Sequence, residues 1–181
     1  LTAVRRGEGS DLSHYRLERH VFDAANHLRF SVDAEGYVSE SLYDGLGKLI
    51  SRVQYAFNTI PYEVTALSEA EVLGRINLTH PENRSTRFSY DTSGNLLSTT
   101  DALNHTESYR YDGLGRKVAF VNKLGKEWQY DYDSAGNLII ERSPQIEVSD
   151  YAGSSTMQVP VTRNRYDARG KLIARTETNA D

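Results

Sequence analysis

The sequence contains no cysteine among its 181 residues, which excludes disulfide bonds, thiol nucleophiles and thiolate metal ligands. It lacks any apolar run near the roughly 18–20 residues that a membrane-spanning helix needs. Basic residues are not in excess, since 21 Lys and Arg face 25 Asp and Glu, so the positive charge typical of nucleic-acid-binding proteins is missing. No signal peptide is visible and the chain opens on Leu1, so we expect a fragment of a longer protein that carries its targeting signals elsewhere.

Tyrosine, in contrast, is abundant, and five of the 12 tyrosines belong to a repeated dipeptide. The repeated element is an aromatic residue followed by Asp: Phe22-Asp23, Tyr43-Asp44, Tyr90-Asp91, Tyr111-Asp112, Tyr132-Asp133 and Tyr166-Asp167. Three of the five steps between these dipeptides are 21 residues, and the steps of 47 and 34 fit the same period with insertions of 26 and 13. A fixed period of this length predicts a stack of similar structural units.

Each Asp of the repeat is followed three residues later by Gly or Asn, at Asn26, Gly47, Gly94, Gly115, Gly136 and Gly170. Weaker copies of the pair lie halfway between, at Asp33/Gly36, Asp101/Asn104 and Asn122/Gly125. An Asp or Asn that opens a turn can accept a hydrogen bond from the backbone two residues on. A hairpin that closes with a G1-type bulge needs positive φ, which Gly and Asn tolerate best. The spacing therefore predicts nine hairpin turns.

Between the turns lie six or seven residues, which is the usual length of a strand. They alternate as strands should, so that Tyr109 and Tyr111 share one face. The residue six after the aromatic is Leu28, Leu49, Leu96, Leu138 or Leu172, with Lys117 as the exception. Each period therefore predicts one antiparallel hairpin, and the stack predicts an all-β, strongly curved sheet. Its open edges are expected to pack against the segment itself, a copy or the rest of the parent chain.

The period also divides the chain into segments. We expect an irregular leader or a partial repeat at 1–13, repeats at 14–59 and 88–142, insertions at 60–87 and 143–161, and a partial repeat at 162–181.

The two insertions differ in composition. Ser68 to Glu71 fits a capping box, and the apolar face that follows predicts one short helix over 69–77, lying on the sheet, although Gly74 weakens it. The Ser-, Pro- and Gly-rich insertion 143–161 predicts a long surface loop, with a short edge strand around 157–161, and is a candidate contact site.

No group of residues indicates catalysis, a cofactor or a metal. Calcium loops need several oxygen ligands within a few residues, whereas successive Asp residues here are 10 or 11 apart, so turn capping is preferred. Asp131 and Asp133 are the closest acidic pair and would act as acid and base only in a cleft. Gly45–Gly47 and Gly113–Gly115 precede strands instead of helices, so they are interpreted as turns and not as phosphate loops.

The five histidines lack the spacing of a metalloprotease, and we interpret them as surface residues: His14, His20, His27, His80 and His105. The tyrosine rows leave two interpretations open, namely cross-strand packing, which we favour, and contact with sugars. Trp128 is interpreted as a packing residue. We therefore predict that the chain is not an enzyme and needs no cofactor.

The segments Tyr90–Leu96 and Tyr132–Leu138 resemble the YD repeats of RHS (rearrangement hotspot) proteins. The resemblance covers most of 14–179, and the insertion around 51–90 is similar to a helical interruption of bacterial YD-repeat arrays. In this family the repeats coil a β-sheet ribbon into a hollow shell that encloses a latent C-terminal toxin. Teneurins use a related shell for adhesion at the cell surface.

The resemblance implies a non-catalytic shell segment of a secreted or cell-surface toxin-delivery protein, with the rest of the parent chain and its cargo as partners. The family's autoprotease core carries Asp-Pro motifs, and no Asp-Pro dipeptide occurs here, so we expect protease and toxin to lie outside this sequence. The alternative is an adhesion module that binds a glycan or a protein. Neither interpretation involves nucleic acid or insertion of this segment into a membrane.

Overall fold

The computed structural model describes residues 4–6, 16–61, 64, 66–149, 151 and 153–180. These residues form fourteen strands and one short helix, and every strand pair whose register is defined is antiparallel, which confirms the all-β prediction. The chain divides into two compact units, Leu1–Ser89 with Thr100–Asn104, and Tyr90–Thr99 with His105–Asp181. Of the expected leader, only Val4–Arg6 is described, as a strand, and His14 lies outside the described residues.

The first unit is an antiparallel meander that runs in chain order. Its elements are β1 (Val4–Arg6), β2 (Arg16–Phe22), β3 (Leu28–Val32), β4 (Tyr37–Tyr43), β5 (Leu49–Thr59), α1 (Glu69–Leu73) and β6 (Arg84–Tyr90). The aromatic residue of each repeat lies opposite the Leu six residues later, as Phe22 opposite Leu28 and Tyr43 opposite Leu49. A register shift precedes each of these pairs, as a G1 bulge requires.

The second unit is built from the same kind of hairpin. Its strands are β7 (Leu96–Thr100), β8 (Thr106–Tyr111), β9 (Lys117–Val121), β10 (Glu127–Tyr132), β11 (Leu138–Arg142), β12 (Ile146–Ser149), β13 (Ser155–Tyr166) and β14 (Leu172–Ala180). They follow chain order as far as β11, which pairs with β13, and β13 also pairs with β12 and β14. Tyr111 opposite Lys117 and Tyr132 opposite Leu138 repeat the register of the first unit.

One face of the first unit's sheet is buried under the insertion that follows β5. The cluster combines Val21, Phe30, Val32, Val38 and Tyr55 of the sheet with Ile60, Leu67, Val72 and Ile76 of the insertion. The hydroxyl of Tyr55 donates to Glu40, which also forms a 2.7 Å ion pair with Arg29. Burial, reinforced by Glu40, raises the pKa of Tyr55. The buried carboxylate is thus paired on both sides, as a buried charge must be.

A buried arginine fastens the insertion to the sheet. Arg19 of β2 is 1% exposed and donates to the carbonyl oxygens of Ile60, Pro61 and Val64 at 3.1, 2.7 and 2.8 Å. The backbone of Ile60 also donates to the carbonyl of Gly36 at 2.9 Å, and a Cβ at Gly36 would lie 2.5 Å from the Ile60 oxygen. Only glycine therefore fits at this turn without displacing the insertion.

The helix of the insertion is shorter than predicted. The capping box is present, because Ser68 Oγ accepts from the Glu71 N–H while the Glu71 carboxylate accepts from the Ser68 N–H. The helix ends at Leu73 instead of residue 77, with Gly74 as its C-cap. Ile76 was assigned to the helix because of its apolar spacing, but it lies in the turn that follows the helix and is buried there. Its burial does not require helical backbone, so the apolar pattern overestimated the length.

The insertion 143–161 was predicted to be a loop, and this was wrong. Ile146–Ser149 pairs with Ser155–Gln158, so most of the insertion is a hairpin made of β12 and the first part of β13. The strand expected around 157–161 is present as part of β13, which pairs with β12 at Met157 and Gln158 and with β14 from Val159 onward. Apolar residues alternate with polar ones on these strands, and that period was masked by the Ser- and Gly-rich composition.

All nine turn-closing residues identified in the sequence have positive φ, between 64° and 93°.

The strain that positive φ imposes on a side chain can be measured at Gly136 without a steric clash, because φ is 88° there and a Cβ would have no neighbour within 4 Å. We predict that Gly136→Ala lowers the free energy of unfolding by about 1–2 kcal/mol. Gly113→Ala is the matched control, since a Cβ there also meets nothing and φ is not positive. Urea unfolding of both variants tests this, and equal losses would contradict it.

Candidate functional site

The repeated turn is the first candidate site, and its geometry is nearly constant. In eight turns the side-chain Oδ1 of the opening residue accepts from the backbone N–H groups two and four residues later, at 2.8–3.0 Å. The opening residues are Asp23, Asp33, Asp44, Asp91, Asp112, Asn122, Asp133 and Asp167. Asp101 accepts from the N–H of Leu103 in the same way. Each aromatic-Asp position of the repeat thus places its Asp at a turn and its aromatic residue at the end of a strand.

The turn carboxylates are stabilised in their charged form. Hydrogen bonds from the Asn137 side chain and N–H hold the pKa of Asp133 below its ordinary value. The Asn95 side chain lowers the pKa of Asp91 in the same way. The backbone N–H four residues later contributes most to the lowered pKa of Asp23 and Asp112. These carboxylates are therefore structural acceptors, which leaves them poorly suited to act as bases.

A further structural position was not predicted from the sequence, namely the residue four after the Asp of each aromatic-Asp dipeptide. Its side chain bonds back to the second carboxylate oxygen, with His27, Asn95, Arg116 and Asn137 at 3.1, 2.9, 2.7 and 2.9 Å from Asp23, Asp91, Asp112 and Asp133. We call this position the ladder residue. Its identity varies among His, Lys, Asn and Arg. The sequence did offer one signal for the ladder residue. It is always polar, although it lies at the start of a strand whose other residues are partly apolar.

Ladder residues also contact the next repeat along the sheet. The His27 ring stacks on Tyr43 with centroids 4.7 Å apart. The Arg116 guanidinium lies 4.9 Å from the centre of the Tyr132 ring and donates to the carbonyl of Asp133 at 3.0 Å. His27 and Arg116 thus join the Asp of their own turn to the aromatic residue of the following one.

The tyrosine hydroxyl forms a second contact between repeats. Tyr43, Tyr132 and Tyr166 donate to the carbonyl oxygens of Leu28, Lys117 and Leu138 at 3.0, 2.8 and 3.0 Å. In each case the acceptor is the residue six after the aromatic residue of the preceding repeat. These tyrosines therefore act as fasteners between hairpins, which favours the packing interpretation at these positions.

Another row of aromatic rings crosses one face of the second unit. Tyr109 stacks on Phe120 at 5.3 Å, and Phe120 lies 5.5 Å from Trp128, on three neighbouring strands. The Lys117 ammonium lies 5.6 Å from the centre of the Phe120 ring and 5.1 Å from that of Tyr130. Burial raises the pKa of Tyr109 and Tyr130. Trp128 packs as expected, but the row remains partly exposed.

The residues considered for catalysis are not brought together. Asp131 pairs with Arg142 at 2.8 Å, while Asp133 caps its turn. His20 contacts Glu18 at 3.1 Å, and within the described ranges no group of three His, Asp or Glu side chains could hold a metal ion. The two Gly-Leu-Gly segments are turn tips whose leucines, Leu46 and Leu114, are exposed. No helix in the described part of the chain is long and apolar enough to cross a membrane.

Comparison with known proteins supports the resemblance seen in the motifs. Residues 72–106 and 90–123 match the RHS Repeat family. No curated protein sequence matches the chain.

Two solved structures are similar in fold. One, TcdB2-TccC3-Cdc42, shares 18% identity over 94% of this chain and 9% of that chain, with a TM-score of 0.48. The other, the Photorhabdus luminescens Tc holotoxin pore, shares 12% identity over 98% of this chain and 13% of that chain, with a TM-score of 0.40. The chain thus spans about a tenth of the length of these proteins.

The fastening role of Tyr132 predicts a specific loss of stability. Tyr132→Phe removes the hydrogen bond to Lys117 and should lower the free energy of unfolding by about 1 kcal/mol. Tyr130→Phe is the matched control on the same strand, because the ring packs beside Lys117 while the hydroxyl has no hydrogen-bond partner among the described residues. Urea unfolding should show the larger loss for Tyr132→Phe. A larger loss for Tyr130→Phe would contradict the assignment.

The lowered pKa of Asp133 predicts acid sensitivity. Because the folded state favours the carboxylate, its contribution is complete above the ordinary pKa of 3.8 and is lost as the pH falls through the lower pKa of the folded state. Asp133→Asn keeps an acceptor oxygen, as Asn122 shows, but removes this titration. Its urea midpoint should therefore change less than that of the parent between about pH 6 and about pH 2.5.

Asn122→Asp is the converse variant, which adds a titrating cap and should steepen the same pH dependence. An unchanged pH dependence in both variants would show that the turn carboxylates do not contribute.

Proposed function

We propose that this chain is a wall segment of an RHS shell, which encloses a cargo polypeptide of the same parent protein and performs no catalysis itself. The observation that carries this proposal is the repeat-to-repeat fastening. In each unit, an Asp, its ladder residue and the tyrosine of the next hairpin contact one another in sequence, as Asp23, His27 and Tyr43 do in the first and Asp112, Arg116 and Tyr132 in the second. Such an array has no natural end, so it suits a wall that extends over many repeats.

The geometry supports a wall better than an isolated domain. Strands in a sheet are twisted relative to their neighbours, so a long antiparallel array bends out of a plane as it grows. Backbone groups in the wall are satisfied between hairpins, and the described side chains present no catalytic cluster. A wall of this kind keeps a cargo away from solvent and from the cell that makes it. We propose accordingly that the parent protein is secreted or displayed at a cell surface and that its cargo is a C-terminal toxin.

The first test is to sequence the encoding gene outward in both directions. We expect the array to run on into an Asp-Pro-bearing core followed by an unrelated tail. Limited trypsin digestion of the full parent protein then tests enclosure, because the tail should be cleaved much more slowly there than when expressed alone. Equal cleavage rates, or an array flanked by adhesion modules, would overturn the toxin-shell proposal.

A second candidate is a surface module that binds a glycan or a protein, and the β12–β13 hairpin favours it. This hairpin exposes Ile146, Met157 and Tyr151. Deleting 145–158 should abolish attachment of the parent protein to cells if the hairpin is the contact site. Unchanged attachment, together with a glycan screen that shows no binding, would eliminate this candidate.

A further inference from the structure

A groove of about 900 Å³ lies on the first unit, beside β5. It is bounded by β5, by the loop that precedes β6 and by the turn at Asp101. Arg52 and Gln54 line it, and Tyr55, which also belongs to the buried cluster, borders it. Its volume lies in the upper part of the range of small-ligand sites. We call it the bulge groove.

A distortion of β5 creates the bulge groove. Ser39 of β4 lies opposite Gln54, yet Tyr37, two residues earlier, lies opposite Thr59, so β5 carries three additional residues. β6 begins at Arg84 opposite Gln54, so the pairing of β5 with β6 stops where the bulge starts. The divergence of the two strands opens the groove.

An aromatic ring is held outward at the bulge. Phe57 has a φ of 56°, which is costly for a bulky side chain, and its ring is 71% exposed. Asn83 holds the bulge by accepting from the Ala56 N–H at 3.0 Å, and the Phe57 ring contacts His80 edge-on at 5.4 Å. Strained residues that the surroundings hold in place occur preferentially at binding sites.

The polar side chains of the bulge groove are not used within the chain. Arg52, Gln54 and Arg84 are exposed, and their side chains form no hydrogen bond or ion pair with the described residues. Elsewhere in this unit Arg19, Arg29 and Arg87 are all paired. Two planar guanidinium groups and one amide therefore point into a groove beside an aromatic ring.

Charge and chemistry identify the class of ligand. The positive charges of Arg52 and Arg84 are balanced by Glu82 and Asp101, so a polyanion has no net attraction to this surface. The backbone N–H of Ala56 is already taken and β5 is paired up to Gln54, so an added peptide strand finds little free backbone. Vicinal hydroxyl groups match the amide, guanidinium and carboxylate groups, and the apolar face of a sugar ring matches Phe57 and Tyr37.

We propose that the bulge groove binds a short neutral oligosaccharide, with Phe57 as the stacking platform and Arg52, Gln54 and Arg84 as hydrogen-bond donors to its hydroxyl groups. This groove is separate from the contacts that join successive repeats. The proposal does not depend on whether the parent protein encloses a cargo.

Saturation-transfer NMR of the full chain tests the proposal, with linear tetra- to hexasaccharides of glucose, N-acetylglucosamine, mannose and galactose as probes. We expect at least one probe to bind, and Phe57→Gly to weaken its affinity by about tenfold or more. Because glycine relieves the positive φ, this variant should melt no lower than the parent, so that lost binding cannot be ascribed to unfolding.

Gln54→Ala should also weaken binding, whereas Leu114→Ala, which removes an exposed apolar side chain at a turn tip outside the groove, should leave it unchanged. Failure of every probe to bind overturns the proposal. Binding that survives both Phe57→Gly and Gln54→Ala overturns it as well, because the sugar would then occupy another site.

Discussion

This structure depends on the geometry of its turns. In such a turn one carboxylate oxygen accepts hydrogen bonds from two backbone N–H groups, and the residue that closes the turn has positive φ. Asp133 shows it in full, with acceptor distances of 3.0 and 2.8 Å and Gly136 at a φ of 88°. The turn fixes the bulge, and the bulge fixes the register of Tyr132 opposite Leu138. A shift of one residue would exchange the two faces of every following strand, so a local turn determines which side chains meet between repeats.

The contacts between repeats tolerate large insertions because they depend on register and not on sequence distance. Tyr132 reaches the carbonyl of Lys117 across 15 residues, while Tyr166 makes the same bond to Leu138 across 28. The intervening residues fold out of the path as the β12–β13 hairpin, and β13 then pairs with β11. A repeat array can therefore acquire loops, helices or hairpins without losing its continuity.

The turns were predictable from the sequence because their chemistry is local. Positive φ restricts the closing residue to Gly or Asn, and the capping Asp stands three residues before it, so both signals survive in a single sequence. The ladder residue was missed because His27, Asn95 and Arg116 achieve the same contact with different groups. Arg19 and Phe57 were also missed, because the three carbonyls that bind Arg19 and the bulge that strains Phe57 arise only when distant segments meet. The polar composition of 143–161 led to the wrong prediction of a loop, because polar residues there occupy the exposed face of a hairpin.

The proposed wall segment accounts for the RHS Repeat match over 72–123 and for the constancy of the turns. The central claim is that these hairpins belong to a closed wall around a cargo. Electron cryomicroscopy of the full parent protein tests it most directly. The account predicts a continuous antiparallel sheet that surrounds an internal volume containing density for the cargo. A sheet without an enclosed volume, or with the cargo folded outside it, would contradict the account.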